Sequence, residues 1–126
     1  MTLTEEKVRE IIEAGTPAGL YENKRVLVLT PDGTRTCPLP MMVRLLGDVI
    51  GARAARLDFM VALGTHPVMT EQQILDLYKI SLGDRVEPFG RSGFSCHRWD
   101  LPETFQRIGE LTEEEVATIS GGLLRE

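Results

Sequence analysis

Apolar residues along the chain fall into two kinds of cluster, short runs and helically spaced sets. Val26-Leu27-Val28-Leu29 and Leu57-Asp58-Phe59-Met60-Val61-Ala62-Leu63 are nearly continuous, the pattern of strands buried on both faces of a parallel sheet. Between them, after Pro38 and Pro40, Met42, Val43, Leu46, Val49 and Ile50 keep helical spacing, and Gly51 supplies a stop. Strand, helix and strand in that order predict a βαβ unit with a right-handed crossover.

Three more helices are predicted from their ends. Residues Thr2 to Ala14 form the first, with Thr2 and Glu5 as a capping box, Val8, Ile11 and Ile12 on one face, and a break at Gly15-Thr16-Pro17-Ala18-Gly19. Thr70 with Gln73 opens the next, with Ile74, Leu75, Leu77 and Tyr78 as its apolar side. Thr112 with Glu115 opens the last, closed by Gly121-Gly122. Gly83 to Gly93 reads as a loop, Phe94 to Trp99 as a third strand and Thr104 to Ile108 as a weaker one. The tail Leu123-Leu124-Arg125-Glu126 reads as a cut, because two leucines stand there with nothing after them.

Composition narrows the class. The chain has 126 residues, 42% hydrophobic and 26% charged, which fits one compact domain. A net charge of −5, a pI near 5.1 and the absence of any basic run exclude a general nucleic-acid or anionic-membrane partner. The N-terminal residues lack the apolar centre of a signal peptide and no apolar stretch is long enough to span a bilayer, so the cytoplasm is expected. Cys37 and Cys96 form no CxxC pair and are expected as reduced thiols.

In open α/β sheets ligands bind beyond the carboxyl ends of the strands. Two segments fall there, Asp32-Gly33-Thr34-Arg35 and Gly64-Thr65-His66. Arg35 can grip a carboxylate or phosphate with its planar fork, Asp32 and Thr34 can bond a hydroxyl, and Gly33 and Gly64 allow close approach or positive φ. His66 is placed as a general acid/base. Each residue also has a plain reading: a turn at Asp32-Gly33, a capping Thr34, a solvated Arg35, and a loop histidine bonded to a backbone carbonyl. Cys37, Cys96, His97 and His66 match no usual zinc spacing, and neighbours on a strand point to opposite faces, so no metal site is expected. Gly90-Arg91-Ser92-Gly93 is a weak anion-nest pattern, more readily a loop.

Taken together, Asp32-Gly33-Thr34-Arg35-x-x-Pro38, Val61-Ala62-Leu63-Gly64-Thr65-His66, Met69-Thr70-Glu71, His97-x-Trp99-Asp100 and Ile108-Gly109 resemble the N-terminal domain of the lactate racemase family. These are the nickel-pincer nucleotide-dependent racemases and epimerases. The resemblance runs from about residue 22 to the end. It implies that Asp32, Thr34 and Arg35 line the cleft where substrate and cofactor meet, beside Gly64 and Thr65, and that His66 is one of two acid/base histidines. The implied reaction takes the hydroxyl proton of a 2-hydroxy acid as hydride leaves the adjacent carbon. Gly33 stands where these racemases often carry His, Thr36 where Pro often follows the Arg, and Pro67 directly follows His66.

The resemblance also implies a two-domain protein, in which a second histidine, the cofactor-bearing lysine and a nickel-ligating histidine belong to a C-terminal domain. Nothing in this sequence matches them. The expectation is therefore a single α/β domain over residues 1–126, Rossmann-like and three-layered with a mainly parallel sheet core. It would be the N-terminal part of a longer protein, inactive alone and with no nickel-pincer nucleotide bound to it alone. Its partners would be a 2-hydroxy acid and the missing domain. A stand-alone module binding a small anion or nucleotide, and a structural docking domain with Leu123-Leu124 at its surface, are the alternatives.

Overall fold

The computed structural model describes residues 3–124. The elements run α1 (Glu5–Gly15), β1 (Arg25–Pro31), α2 (Leu39–Leu46), β2 (Arg56–Ala62), α3 (Glu71–Tyr78), α4 (Leu82–Val86), β3 (Phe94–Cys96) and α5 (Glu113–Ile119). The three strands form one parallel sheet in the order β1-β2-β3. Its register pairs Arg25 with Arg56 at one end of β1 and Pro31 with Ala62 at the other. The α/β class and the parallel, Rossmann-like core are as expected.

The core lies against one face of that sheet. Leu57, Phe59 and Val61 alternate along β2 and are buried, as the two-residue period of a strand requires. Val43 from α2, and Ile74, Leu75 and Tyr78 from α3, meet them in one cluster. Phe59 stacks on Phe94 with ring centroids 5.6 Å apart and meets Phe89 edge-on at 6.0 Å. The Arg85 guanidinium covers Phe94 from outside, 5.1 Å from its centroid, while donating to the carbonyls of Phe89 and Ser92. Inside the cluster the Thr30 hydroxyl and the Tyr78 phenol share a buried 2.7 Å hydrogen bond, which ties β1 to α3.

The other face differs from expectation. Leu27 and Leu29, inside the continuous run that predicts burial on both sides, are 52% and 65% exposed. Successive right-handed crossovers that step across a sheet in one direction place their helices on the same side. Helices α2 and α3 accordingly share one core cluster, and the described residues supply no layer over Leu27 and Leu29.

Local differences have local causes. The first helix starts at Glu5, not at residue 2, because the Thr4 hydroxyl accepts from the Lys7 backbone N–H; Thr2 lies outside the described residues. After α2 the chain continues through a π-helical turn at Gly47–Gly51, so the apolar periodicity of that stretch spans two kinds of turn. The expected loop from Gly83 contains α4, capped reciprocally by Ser81 and Asp84. The Gly90–Gly93 nest is filled from within, as Ser92 N–H donates to Phe89 O and Gly93 N–H to Asp58. The third strand is shorter than expected, and Thr104–Ile108 is not a strand, since the Thr104 hydroxyl closes a loop onto the carbonyls of Arg98 and Leu101.

Candidate functional site

Parallel pairing in register brings the ends of β1 and β2 side by side, so the segments that follow them face one another. Asp32 begins the first. Its Oδ1 accepts from the Thr34 backbone N–H at 3.1 Å and from the Thr34 hydroxyl at 2.5 Å, an Asx turn that fixes the carboxylate plane. In the second segment Gly64 has φ +60°, a conformation that strains other residues, and His66 N–H closes a turn onto Leu63 O at 3.0 Å. That turn carries the His66 ring back to Asp32, where Nδ1 meets the free Oδ2.

The electrostatics assign this contact. Hydrogen bonds from Thr34 and then from His66 hold the Asp32 carboxyl down at about 2, against an ordinary value of 3.8. At neutral pH Asp32 is therefore an anion that can only accept, so the proton lies on His66 Nδ1. In the neutral ring Nε2 is then the basic nitrogen, and among the described residues nothing partners it. The Asp32 side chain is 10% exposed and that of His66 49%. A shielded carboxylate thus orients a half-exposed imidazole, an arrangement suited to proton transfer at Nε2.

Pro31, Asp32, Thr34, Arg35 and the run from Ala62 to His66 line an open crevice of about 320 Å³. All the sequence-expected site residues, Asp32, Thr34, Arg35, Gly64, Thr65 and His66, line it. Thr34 serves Asp32 directly, so its hydroxyl is committed within the site. Arg35 is exposed, and among the described residues its guanidinium has no hydrogen-bond or ion-pair partner. Gly33 has no positive φ, and a Cβ there would make an ordinary 3.5 Å contact with Leu77, so its backbone freedom is not used. Larger concavities lie elsewhere, 370 Å³ beside α1, 440 Å³ along α5 and 600 Å³ around Glu87-Pro88. In the first the charged side chains of Arg9 and Asp48 are already paired, and none of the three contains a histidine.

Sequence reasoning placed Asp32 and His66 at the same edge but did not pair them. It also gave no role to Trp99, whose indole Nε1–H donates to the His66 carbonyl at 2.8 Å. Arg35, Asp32 and His66 supply a cation, an anion and a base around one crevice. The lining contains no lysine or cysteine, and among the described residues no group of three His, Cys, Asp or Glu is placed to hold a metal.

No family model matches the chain, and no curated protein matches it. No helix of the described residues is long and apolar enough to cross a membrane. A crystal structure of a Thermotoga maritima protein, solved by the Northeast Structural Genomics Consortium, is similar at 27% identity and a TM-score of 0.75. The match covers 98% of this chain and 28% of that one, so this chain spans 28% of the length of that protein. The two share the α/β fold built on a parallel sheet.

Proposed function

We propose that the crevice is the acid/base wall of a site for a 2-hydroxy acid, in a protein of the lactate racemase type. The Asp32–His66 pair carries this reading, because it presents a basic Nε2 at the mouth of a crevice that also holds an unpaired cation. Arg35 takes the substrate carboxylate, and Nε2 takes the hydroxyl proton. The imidazolium so formed is stabilised by the Asp32 anion on its other nitrogen. The nickel-pincer nucleotide implied by the resemblance would supply the hydride acceptor for the adjacent carbon. No residue of this crevice fits the anchoring of that group, since the lining holds neither lysine nor cysteine.

On this reading the chain is the N-terminal part of a longer, cytoplasmic two-domain isomerase. The partner domain supplies the second base and the cofactor. Both enantiomers of the substrate are then processed, because each base serves one face of the planar keto acid.

An NMR titration of this chain tests the reading, following the His66 imidazole and the Arg35 Nε–H with lactate and with propionate. Lactate should move both signals, whereas propionate, which lacks the hydroxyl, should move only Arg35. Equal responses to the two acids would favour a small-anion module, for which the unpartnered Arg35 is the supporting observation. No response to either acid would overturn both readings.

A further inference from the structure

Three anchors hold His66. Its N–H donates to Leu63 O at 3.0 Å, its ring meets Asp32, and its carbonyl accepts from Trp99 Nε1 at 2.8 Å. The first two belong to the segments that follow β1 and β2. The third comes from the chain after β3. It crosses from one strand-end segment to another, and nothing in the local turn requires it.

The third anchor is itself braced. Arg98 and Asp100, on either side of Trp99, are joined by two 2.8 Å charge-assisted hydrogen bonds. The Thr104 hydroxyl lies 2.7 Å from the Arg98 carbonyl and 2.8 Å from that of Leu101. Trp99 is 39% exposed, so water could satisfy its indole N–H; the bond to His66 is not forced by burial. On the other side, residue 67 is proline and has no N–H. The peptide after His66 therefore has no donor of its own, and the only polar handle on that peptide is the carbonyl that Trp99 holds.

We propose that Trp99 is a positioning residue for His66. By holding the His66–Pro67 peptide it sets the height at which the imidazole meets Asp32. It thereby keeps Nδ1 on the carboxylate and Nε2 toward the crevice. The inference rests on the acid/base reading of the Asp32–His66 pair. It makes the segment after β3 part of the site without any contact to substrate.

Imidazole ¹⁵N NMR on the chain and on its Trp99→Phe variant tests this, since phenylalanine keeps an aromatic ring and removes the donor. The chain has two histidines, so His97, whose ring packs on Phe105 at 5.7 Å, is an internal reference. The native chain should show His66 with Nδ1 protonated. In Trp99→Phe, His66 should become a mixture of tautomers, and its Nδ1–H should exchange roughly fivefold faster or more, one hydrogen bond's worth. The His97 signals should stay in place.

A folded Trp99→Phe chain with unchanged His66 tautomer and exchange overturns the inference and leaves the Asp32–His66 pair standing. A native chain without a proton on Nδ1 overturns the pair, and the inference with it. If Trp99→Phe does not fold, the single tryptophan gives one indole N–H signal to follow in the otherwise native protein. That signal should exchange slowly and shift in Asp32→Ala, which removes the partner of the ring; an unmoved signal counts against the link.

Discussion

The carboxylate of Asp32 accepts from Nδ1 of His66, a residue 34 positions further along the chain. An asparagine at position 32 keeps the acceptor for Thr34 but loses the charge that dictates which ring nitrogen carries the proton. In a protein that turns over substrate, Asp32→Asn should lower the rate about 10²- to 10⁴-fold with little change in substrate affinity. Single-turnover kinetics beside a thermal melt would separate this from unfolding.

Stability should respond to acid through the same carboxylate. The Asp32 pKa is about 2 in the folded chain, against the ordinary 3.8 that an unfolded one would keep. A depressed carboxyl pKa adds stability that is fully present above the unfolded value and is lost as pH falls through the folded one. The stability difference between the native chain and Asp32→Asn should therefore shrink from about pH 4 down to about pH 2. The paired carboxylates of Asp58 and Asp84 are also depressed, so the difference between the two proteins is the quantity to follow. Urea midpoints at several pH values would measure it, and a constant gap would show that the pairing contributes no stability.

Gly47 begins the π-helical turn against the buried ring of Phe89. A Cβ at position 47 would stand 2.7 Å from Phe89 Cε1 and 3.0 Å from Cζ. Gly47→Ala should cost about 1–3 kcal/mol from overpacking, partly offset by the better helix propensity of alanine. Calorimetry should show a lower melting temperature; an unchanged one would mean that Phe89 yields freely.

The two faces of the sheet should answer mutation differently. Phe59 is 0% exposed at the centre of the aromatic cluster, and Phe59→Ala should cost about 3–5 kcal/mol. Leu29 is 65% exposed, and Leu29→Gln should stay within about 0.5 kcal/mol in this chain. A large loss from Leu29→Gln in denaturant titrations would show that this face is covered in solution.

What could be read from the sequence was whatever is decided locally. The capping boxes at Thr70–Gln73 and Thr112–Glu115 form as expected, because each needs only four residues. The same signal at Ser81–Asp84 was hidden by the glycines and proline around it, and the helix ends after five residues, where Glu87 turns extended before Pro88. The exposure of Leu27 and Leu29 was not legible, since a continuous apolar run looks the same whether or not a second layer is present. In the site, the Asp32–Thr34 turn is local and was visible as turn chemistry. The meeting of Asp32 with His66, and of His66 with Trp99, depends on strand register and on a loop after β3, and neither leaves a mark on sequence spacing.

The pairing of Pro31 with Ala62 closes the ladder just before the two segments that build the crevice. A slip of one residue would move Asp32 past His66 by about 3.3 Å and turn the buried face of β2 outward. The hydrophobic core therefore acts as the gauge for the Asp32–His66 contact, because the alignment that buries Phe59 is the one that seats the imidazole. Residues on the crevice rim, such as Arg35 and Thr65, stand outside that gauge. A substitution at either position should therefore leave Asp32 and His66 in alignment.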